Sequence, residues 1–367
     1  MASKNIIKYS PGFNITDVQK KYNLKKIIKL SSNENPFISS KVENYINKIK
    51  HNINLYPESK PIDLQSLIAK EIGYRLSQKN IILGNGSNEI LEFIARLSLN
   101  RSSEVIIPKH SFLVYEIISK LQDAKVVVSK PDLKKSSPNY LGIDLMSIRK
   151  KITPKTKLIF IANPANPTGT FIKLSHIDNF IRSIPSKINI VVDEAYYEYL
   201  DAKIDKSAAS LVKKYKNLFV TRSFSKIYGL ASMRIGYGIS SEDNIDKLKL
   251  YKQPFNTNLF AQKAAEIAIR DHKFVMESKK NNNIVSEMVT KTFHELSISY
   301  LGTFCNFITF EAGSRSTELF EYLLKNGVVV RPLVNYKLEK YLRVTLGKKR
   351  EMNIFIKTLK SFYKNVK

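Results

Sequence analysis

Short apolar runs alternate with segments of helical period between residues 81 and 239, and this alternation constrains the fold more than any other feature. Runs that are apolar throughout are typical of strands buried on both faces, as in a mostly parallel sheet covered by helices. The predicted strands lie at residues 81–83, 105–107, 125–128, 158–161, 188–192, 218–220 and 235–239. The sequence therefore predicts an α/β fold with a mostly parallel, seven-stranded sheet. Such sheets bind their ligands at the carboxyl ends of the strands.

The pattern changes after residue 256, where a smaller α+β unit is predicted to begin. Its predicted elements are a long helical segment at 259–298, strands at 306–310, 328–331 and 342–345, and helices at 316–325 and 350–362. We expect three parts, because a chain of 367 residues is too long for one small core. Residues 1–45 would form an arm and a segment packing with the small domain, 46–256 the large domain, and 257–367 the small C-terminal domain.

The net charge of +28 at pH 7 invites a nucleic-acid interpretation. The lysines, however, are spread along the whole chain and are not gathered into one basic arm. A lysine-rich, solvated surface is therefore favoured, and no specific nucleic-acid partner is expected.

The cysteine and histidine content bears on compartment and metal binding. Cys305 is the only cysteine and has no partner for an intramolecular disulfide, and the five histidines lack the spacing of metal ligands. The default prediction is a reduced, cytoplasmic protein without a metal site. No membrane association is expected, because no apolar run approaches the roughly 20 residues that a bilayer span needs.

The stretch from residue 221 to residue 238 holds one lysine between two strand-like runs. Ser223 and Ser225 precede Lys226, and Arg234 follows it eight residues later. Hydroxyls and an arginine around a lysine indicate an amine held beside a phosphate. Pyridoxal phosphate needs both, since its aldehyde forms a Schiff base and its phosphate must be bound nearby. Read alone, the stretch favours the alternative of a solvated loop lysine.

Two loops that follow predicted strands could contact a ligand. Residues 84–88 read Gly-Asn-Gly-Ser-Asn, and the helix that follows would present free N–H groups to an anion near Ser87 and Asn88. The alternative is a plain turn capped by one of these two side chains. Residues 163–169, Asn-Pro-Ala-Asn-Pro-Thr-Gly, form a stiff loop that could aim the Asn166 amide at a ligand, or serve only as a rigid turn.

Carboxylates and aromatic residues follow two other strands. Asp193 and Glu194 end an apolar run, and a buried carboxylate is costly without a partner. A protonated pyridine nitrogen would be such a partner for Asp193, and Tyr196 could reach the phenolic oxygen of the same ring. The alternatives are a helix cap or a metal site. Phe112 could stack on a flat cofactor ring, although an aromatic residue at a helix start is more often part of the core.

Arg331 and Arg343 lie in two apolar C-terminal strands. An arginine in such a setting favours a bidentate acid, either a carboxylate or a phosphate. An internal salt bridge is the alternative for each.

The order of these motifs resembles the fold-type-I pyridoxal-phosphate aminotransferases over nearly the whole chain. Residues 28–37, 55–58 and 253–258 are similar, more narrowly, to the histidinol-phosphate aminotransferase family. Three positions depart from the usual pattern of that family: Ile38 occurs where the family usually has glycine, Asn88 where it has aspartate, and Lys348 where it has threonine. None of the three removes a cofactor ligand.

The resemblance implies a role for each candidate residue. Lys226 would bind the cofactor and move the proton, and Asp193 would pair with the pyridine nitrogen. The other implied cofactor contacts are Asn166 and Tyr196 at the phenolic oxygen, Phe112 on the ring, and Ser87, Asn88, Ser223, Ser225 and Arg234 at the phosphate. Tyr56 would reach the phosphate from a neighbouring subunit, which implies a homodimer. The implied substrate contacts are Tyr9, Asn33, Asn306, Arg331 and Arg343.

The resemblance also implies the reaction. L-Histidinol phosphate and 2-oxoglutarate would exchange for imidazole-acetol phosphate and L-glutamate by ping-pong transamination, as part of histidine biosynthesis. An aromatic amino-acid aminotransferase or a phosphothreonine decarboxylase on the same framework are the alternatives. A basic nucleic-acid-binding protein that merely keeps the fold is the alternative from another class.

Overall fold

The structure is a computed structural model that describes residues 15–48, 53–201 and 204–364. The α-helices in these ranges are α1 Ile15–Tyr22, α2 Ser40–Lys48, α3 Ile62–Ile72, α4 Ser87–Ser98, α5 Val114–Leu121, α6 Leu145–Lys150, α7 Leu174–Arg182, α8 Glu242–Lys249, α9 Leu259–Ala268, α10 His272–Glu295, α11 Ser316–Lys325 and α12 Lys349–Lys364. Among the described residues, no helix joins the length and the apolar character that a membrane crossing requires.

The strands fall into three sheets. They are β1 Ile28–Lys29, β2 Ile81–Gly84, β3 Glu104–Pro108, β4 Lys125–Ser129, β5 Thr156–Ala162, β6 Asn189–Asp193, β7 Leu218–Ser223, β8 Gly236–Ile239, β9 Phe307–Glu311, β10 Val328–Val329, β11 Arg331–Pro332 and β12 Tyr341–Thr345. The large sheet has seven strands in the order β2-β8-β7-β6-β5-β3-β4, and the smaller ones are β11-β12-β9 and β1-β10.

The large sheet is mostly parallel, as predicted. Strand β8 is antiparallel to both β7 and β2, whereas the pairs β7-β6, β6-β5, β5-β3 and β3-β4 are parallel. Six strands therefore run in one direction, and their carboxyl ends meet at one edge of the sheet. The prediction of a seven-stranded α/β fold is confirmed.

Apolar burial explains why the central strands form. Ile159 and Phe160 in β5 and Val191 and Val192 in β6 are fully buried between covering helices. Ile90 of α4 packs against the same core. Burying a side chain of this size stabilises the folded state by roughly 1.5–3 kcal/mol relative to leaving it exposed. This gain favours strands where the apolar runs lie.

Two elements that were predicted to be continuous are each divided in the structure, so these two predictions are wrong. The segment 259–298 is two helices, because the chain turns at Asp271, whose buried carboxylate accepts a hydrogen bond from Ser39 Oγ at 2.6 Å. The segment 328–331 is two short strands with different partners: β10 pairs in parallel with β1, and β11 pairs antiparallel with β12. Strand β1 has only two residues, which is too short for a periodic pattern to reveal.

The smaller unit has a core of its own. Val18 and Leu30 from the N-terminal segment pack there with Phe310 and Phe355. Val42 packs in the core of the large sheet instead. The domain limits at residues 45 and 256 stay predictions.

Candidate active site

One cavity of about 250 Å³ lies at the carboxyl edge of the large sheet. Most of the residues singled out from the sequence line it: Asn33, Ser87, Asn88, Phe112, Asn166, Asp193, Tyr196, Ser223, Ser225, Lys226, Arg234 and Arg343. They come from loops and strand ends that are distant in sequence, and the sheet brings them together.

Lys226 lies just beyond β7 with its side chain directed into the cavity. Burial, together with the nearby positive charge of Arg343, lowers the pKa of its amine to about 8. The Nζ atom lies 3.4 Å from the Ser32 carbonyl oxygen and 5.6 Å from the centre of the Tyr196 ring. A substantial fraction of this amine is therefore neutral near physiological pH, as a nucleophile or general base requires.

Asp193 ends β6 and is buried. Its carboxylate accepts hydrogen bonds from Tyr115 Oη at 2.7 Å, Thr221 Oγ1 at 3.0 Å and the Ala195 N–H at 3.2 Å. Burial raises the pKa of Asp193, and the hydrogen bonds from Tyr115 and Thr221 oppose that rise. A carboxylate held this way is suited to a cationic partner within the cavity.

Tyr196 and Asn33 are hydrogen-bonded to each other. Asn33 Nδ2 donates to Tyr196 Oη at 2.8 Å, and burial raises the pKa of this tyrosine above its ordinary value. The Asn33 backbone also contacts the smaller unit, because its N–H donates to Thr345 Oγ1 at 2.9 Å and its carbonyl accepts from Asn306 Nδ2 at 3.0 Å. The segment around Asn33 thus connects the two units at the cavity.

The amino end of α4 and the loop after β7 form an anion cradle. The residue that precedes α4 is Gly86, at φ +77°, and no side chain caps the helix. The alternative of a turn capped by Ser87 or Asn88 is therefore wrong. Arg234 Nη1 lies 3.3 Å from Ser225 Oγ, and a Cβ at Gly86 would collide with Nη2 of the same arginine. Free helix N–H groups, hydroxyls and a guanidinium suit a phosphate.

Arg343 lies on the other side of the cavity, in β12. Its Nη1 donates to Asn166 Oδ1 at 2.5 Å and its Nη2 to the Ser31 carbonyl at 3.0 Å. Its Nε is buried without a hydrogen-bond partner in the described part of the chain. No carboxylate among the described residues forms an ion pair with it, so the internal salt bridge is not found. A buried guanidinium with an unused donor suits an acidic substrate.

Comparison with known proteins agrees with this geometry. Residues 25–359 match the family described as aminotransferase class I and II. The chain belongs to this aminotransferase family. It is 38% identical to histidinol-phosphate aminotransferase 1 of Idiomarina loihiensis, over 97% of this chain and 95% of the relative. It is also 38% identical to the histidinol-phosphate aminotransferase of Caldicellulosiruptor saccharolyticus, over 97% and 98% of the two chains.

A solved structure shares the fold. The histidinol-phosphate aminotransferase of Sinorhizobium meliloti, solved in complex with pyridoxal-5'-phosphate, has a TM-score of 0.85 and 20% identity over 100% of this chain and 98% of its own. The similarity to the histidinol-phosphate aminotransferase family that the sequence indicated is confirmed. The protein is a pyridoxal-phosphate-dependent transaminase, which exchanges an amino group between an amino donor and a 2-oxo acid.

The residues of this aminotransferase fit its cofactor. The uncapped α4 and Arg234 suit the phosphate, and Asp193 suits a protonated ring nitrogen. The low pKa of Lys226 suits a bond to the aldehyde carbon. Phe112 lines the cavity where a flat ring would lie against it.

Three described residues that were predicted for the site do not line this cavity. Asn306 and Arg331 are buried, and neither is among the described residues that line the cavity. Arg331 pairs in register with Arg343 across β11 and β12. Tyr56 is 82% exposed and stacks on Phe255, with ring centres 4.7 Å apart. Tyr9 lies outside the described residues. Their assigned roles stay predictions.

Sequence reasoning missed two side chains of the site. Tyr115 bonds to Asp193, and Tyr336 lines the cavity from the smaller unit. Tyr115 follows Phe112 by three residues at the start of a helix, and this spacing would have placed both on one face. No sequence signal distinguishes Tyr336 from a core tyrosine.

Proposed function

We propose that this aminotransferase converts L-histidinol phosphate and 2-oxoglutarate into imidazole-acetol phosphate and L-glutamate, in histidine biosynthesis. The reaction type rests on one observation, the meeting of Lys226, Asp193 and Arg343 on a single cavity. The substrate rests on the names of relatives that are 34–38% identical over nearly the whole chain.

Bound pyridoxal phosphate supplies an aldehyde that binds primary amines and a ring that accepts electrons. The chain's own residues provide the rest. Ser223, Ser225, Arg234 and the amide groups that open α4 would hold the phosphate. Asp193 would hold a proton on the ring nitrogen, and Asn166 and Tyr196 would orient the ring through its phenolic oxygen.

Lys226 moves the proton in this account. Its amine removes the α-proton of the amino donor, and later returns a proton when the amino group passes to the 2-oxo acid. The burial that lowers its pKa to about 8 makes the neutral amine available at physiological pH. Because the amine is buried, little water screens its charge, and its interactions with the reacting groups are stronger for that reason.

Arg343 binds the carboxylate of glutamate and of 2-oxoglutarate in this proposal. Its partnerless Nε and its contacts to Asn166 and Ser31 leave the guanidinium fixed at the cavity wall. Histidinol phosphate has no carboxylate, so its phosphate requires cationic partners as well. Arg331 and Arg343 are proposed as these cations, and Asn33, Asn306 and Tyr9 are proposed as further contacts to the phosphorylated imidazole substrate.

A panel of amino donors tests the substrate. The purified holoenzyme is assayed with 2-oxoglutarate and, in turn, L-histidinol phosphate, L-phenylalanine and O-phospho-L-threonine, with glutamate and carbon dioxide measured separately. We expect histidinol phosphate to give the highest kcat/KM. A higher kcat/KM for phenylalanine would assign an aromatic aminotransferase, and release of carbon dioxide from phosphothreonine would assign a decarboxylase.

We also propose a homodimer in which Tyr56 of one copy completes the site of the other. Tyr56 does not line the cavity described for its own chain, and its ring is exposed. Ile53, Leu55 and Leu250 are also exposed, at 75%, 59% and 84%. Exposed apolar side chains of this size favour burial against another surface, and a second copy of the chain is the simplest such surface.

Mixing two inactive variants tests the dimer. In a hybrid of Lys226→Ala and Tyr56→Ala chains, shared sites would leave one site with both native residues. An equimolar mixture after subunit exchange should then regain about a quarter of wild-type activity, since half the dimers are hybrids with one intact site each. Activity that stays at the sum of the two variants would place Tyr56 outside the partner's site.

We propose a cytoplasmic location. Cys305, the single cysteine, is buried as a free thiol, which agrees with a reducing compartment. Fractionation of cells with the untagged protein tests this, and enrichment outside the cytoplasmic fraction would contradict it.

A further inference from the structure

Tyr115 is a buried residue of the cavity to which the transfer chemistry above assigns no role. It lies on α5, and its O–H donates a hydrogen bond of 2.7 Å to Oδ2 of Asp193. It is fully buried and also lines the cavity. The residue therefore touches the carboxylate on which protonation of the ring nitrogen depends.

The packing around Tyr115 fixes its hydroxyl in place. Its ring stacks on Phe160 of β5, with ring centres 4.6 Å apart and planes 2° apart. On the cavity side, Phe112 meets the same ring edge-on, with centres 5.8 Å apart and planes at 89°. Stacked and edge-to-face contacts restrain the ring, so the phenol oxygen cannot turn away from Asp193 without disrupting the core.

The groups facing Asp193 divide by their effect on its charge. Burial is the largest influence and raises the pKa of Asp193, and the neighbouring charge of Glu194 acts in the same direction. Tyr115 from α5 and Thr221 from β7 donate hydrogen bonds that lower this pKa, and the Ala195 N–H adds a third donor. The carboxylate thus depends on its donors to stay ionised in a dry site.

We propose that Tyr115 is a positioning residue for transamination, whose O–H orients Oδ2 of Asp193 and keeps this carboxylate ionised, so that it would hold a proton on the ring nitrogen of the cofactor. The proposal rests on the proposed function, because it requires pyridoxal phosphate in the cavity. An ionised Asp193 holds the proton on the ring nitrogen. A carboxylate without the Tyr115 donor would compete with the nitrogen for that proton.

Two forms of the cofactor test this role by binding alone. Cofactor-free protein is titrated with pyridoxal phosphate and with its carbocyclic analogue, in which a C–H replaces the ring nitrogen. We expect Tyr115→Phe to weaken pyridoxal phosphate roughly tenfold, the loss of one hydrogen bond to a charged group. The analogue needs no proton from the site and should keep its affinity. Thr221→Val, which removes the other side-chain donor, should show the same selective loss.

The outcomes separate the two claims. Equal weakening of both ligands by Tyr115→Phe would show a role in packing only and would overturn the proposal, as would an unchanged affinity for both. Wild-type protein that binds neither ligand would instead contradict the proposed function. Tyr228→Phe removes another buried phenol that lies outside the residues lining the cavity, and it should leave both affinities unchanged.

Discussion

The two sides of the cavity are built differently. The side that we propose for the cofactor, called the cofactor half below, comprises Asp193, Lys226, Ser223 at the end of β7, Ser225 and Arg234 beyond it, and the amino end of α4. Nearly all of it belongs to the edge of one sheet. The side that we propose for the substrate, called the substrate half below, comprises Asn33, Arg343 and Tyr336, which come from the N-terminal segment and the smaller unit. The first half is placed by backbone hydrogen bonds within one core, and the second depends on how two cores pack together.

This difference indicates that selectivity among substrates resides in the substrate half. A change in the cofactor half should slow the reaction of every donor by a similar factor. A change in the substrate half should act mainly on KM and on the choice among substrates. The following variants either sharpen this contrast or break it.

Lys226→Ala should have the largest effect. Removing the amine eliminates the group that we propose moves the proton, and kcat should fall by roughly 10⁴-fold or more for all donors. Steady-state turnover measures the loss, and equilibrium binding of pyridoxal phosphate controls for a collapsed cavity. Turnover near the wild-type level would remove Lys226 from the mechanism.

Asp193→Asn keeps the shape of the side chain and removes its charge. Without the anion the ring nitrogen loses its proton more readily, so kcat should fall roughly 100- to 1,000-fold for every donor. Asp178→Asn is the matched control, because Asp178 pairs with Lys214 and does not line the cavity. Losses that differ between donors would break the assignment of Asp193 to the cofactor half.

Arg343→Lys probes the substrate half. Lysine keeps the positive charge but lacks the planar guanidinium, which can donate two parallel hydrogen bonds to a carboxylate. KM for 2-oxoglutarate should therefore rise roughly 10- to 100-fold, with little change in kcat for the first half-reaction, in which the amino donor reacts. Both half-reactions are measured separately by rapid mixing. A uniform fall in kcat with unchanged KM would move Arg343 into the cofactor half.

Asn33→Gly is expected to be milder. Asn33 has φ +55°, which glycine also tolerates, so the variant removes the hydrogen bond to Tyr196 without straining the backbone. Because Asn33 belongs to the substrate half, KM for L-histidinol phosphate should rise roughly 5- to 10-fold, the loss of affinity expected from one buried hydrogen bond. Asn23→Gly is the control, since Asn23 has φ +50° and is exposed. Equal losses in both variants would indicate a general effect of glycine.

The smallest expected effect is a shift in pH dependence. The addition of pyridoxal phosphate to cofactor-free protein should accelerate as pH rises through about 8, where Lys226 loses its proton. The positive charge of Arg343 lowers the pKa of Lys226, so Arg343→Gln should move the midpoint to higher pH. The rate is followed by absorbance. A midpoint that stays fixed or falls would contradict the coupling between the two halves.

The same contrast explains what the sequence could predict. Asp193, Asn166 and Lys226 follow apolar runs directly, and the parallel sheet turns that local pattern into a common edge. Asn306 stands directly before β9 and Arg331 lies in β11, but their placement depends on how β9, β11 and β12 pair and on contacts between units that no local pattern contains. The split of residues 328–331 between two sheets has the same origin, because each partner strand lies far away in sequence.

Tyr115 shows a second limit. Its closeness to Phe112 follows from a spacing of three residues, but its bond to Asp193 bridges 78 residues of chain. Local sequence does not distinguish a tyrosine that only packs among phenylalanines from one that also donates a hydrogen bond to a carboxylate. Only the placement of Tyr115 beside Phe160 of β5 and Asp193 of β6 distinguishes them.

A single-turnover half-reaction tests the central claim most directly. Holoenzyme is mixed with L-histidinol phosphate without any 2-oxo acid, and both the cofactor absorbance and the imidazole-acetol phosphate released are recorded. The account predicts one equivalent of product per site, a matching conversion of the cofactor to its amine form, and full reversal on adding 2-oxoglutarate. An unchanged cofactor spectrum with histidinol phosphate, alongside a complete half-reaction with another donor, would contradict it.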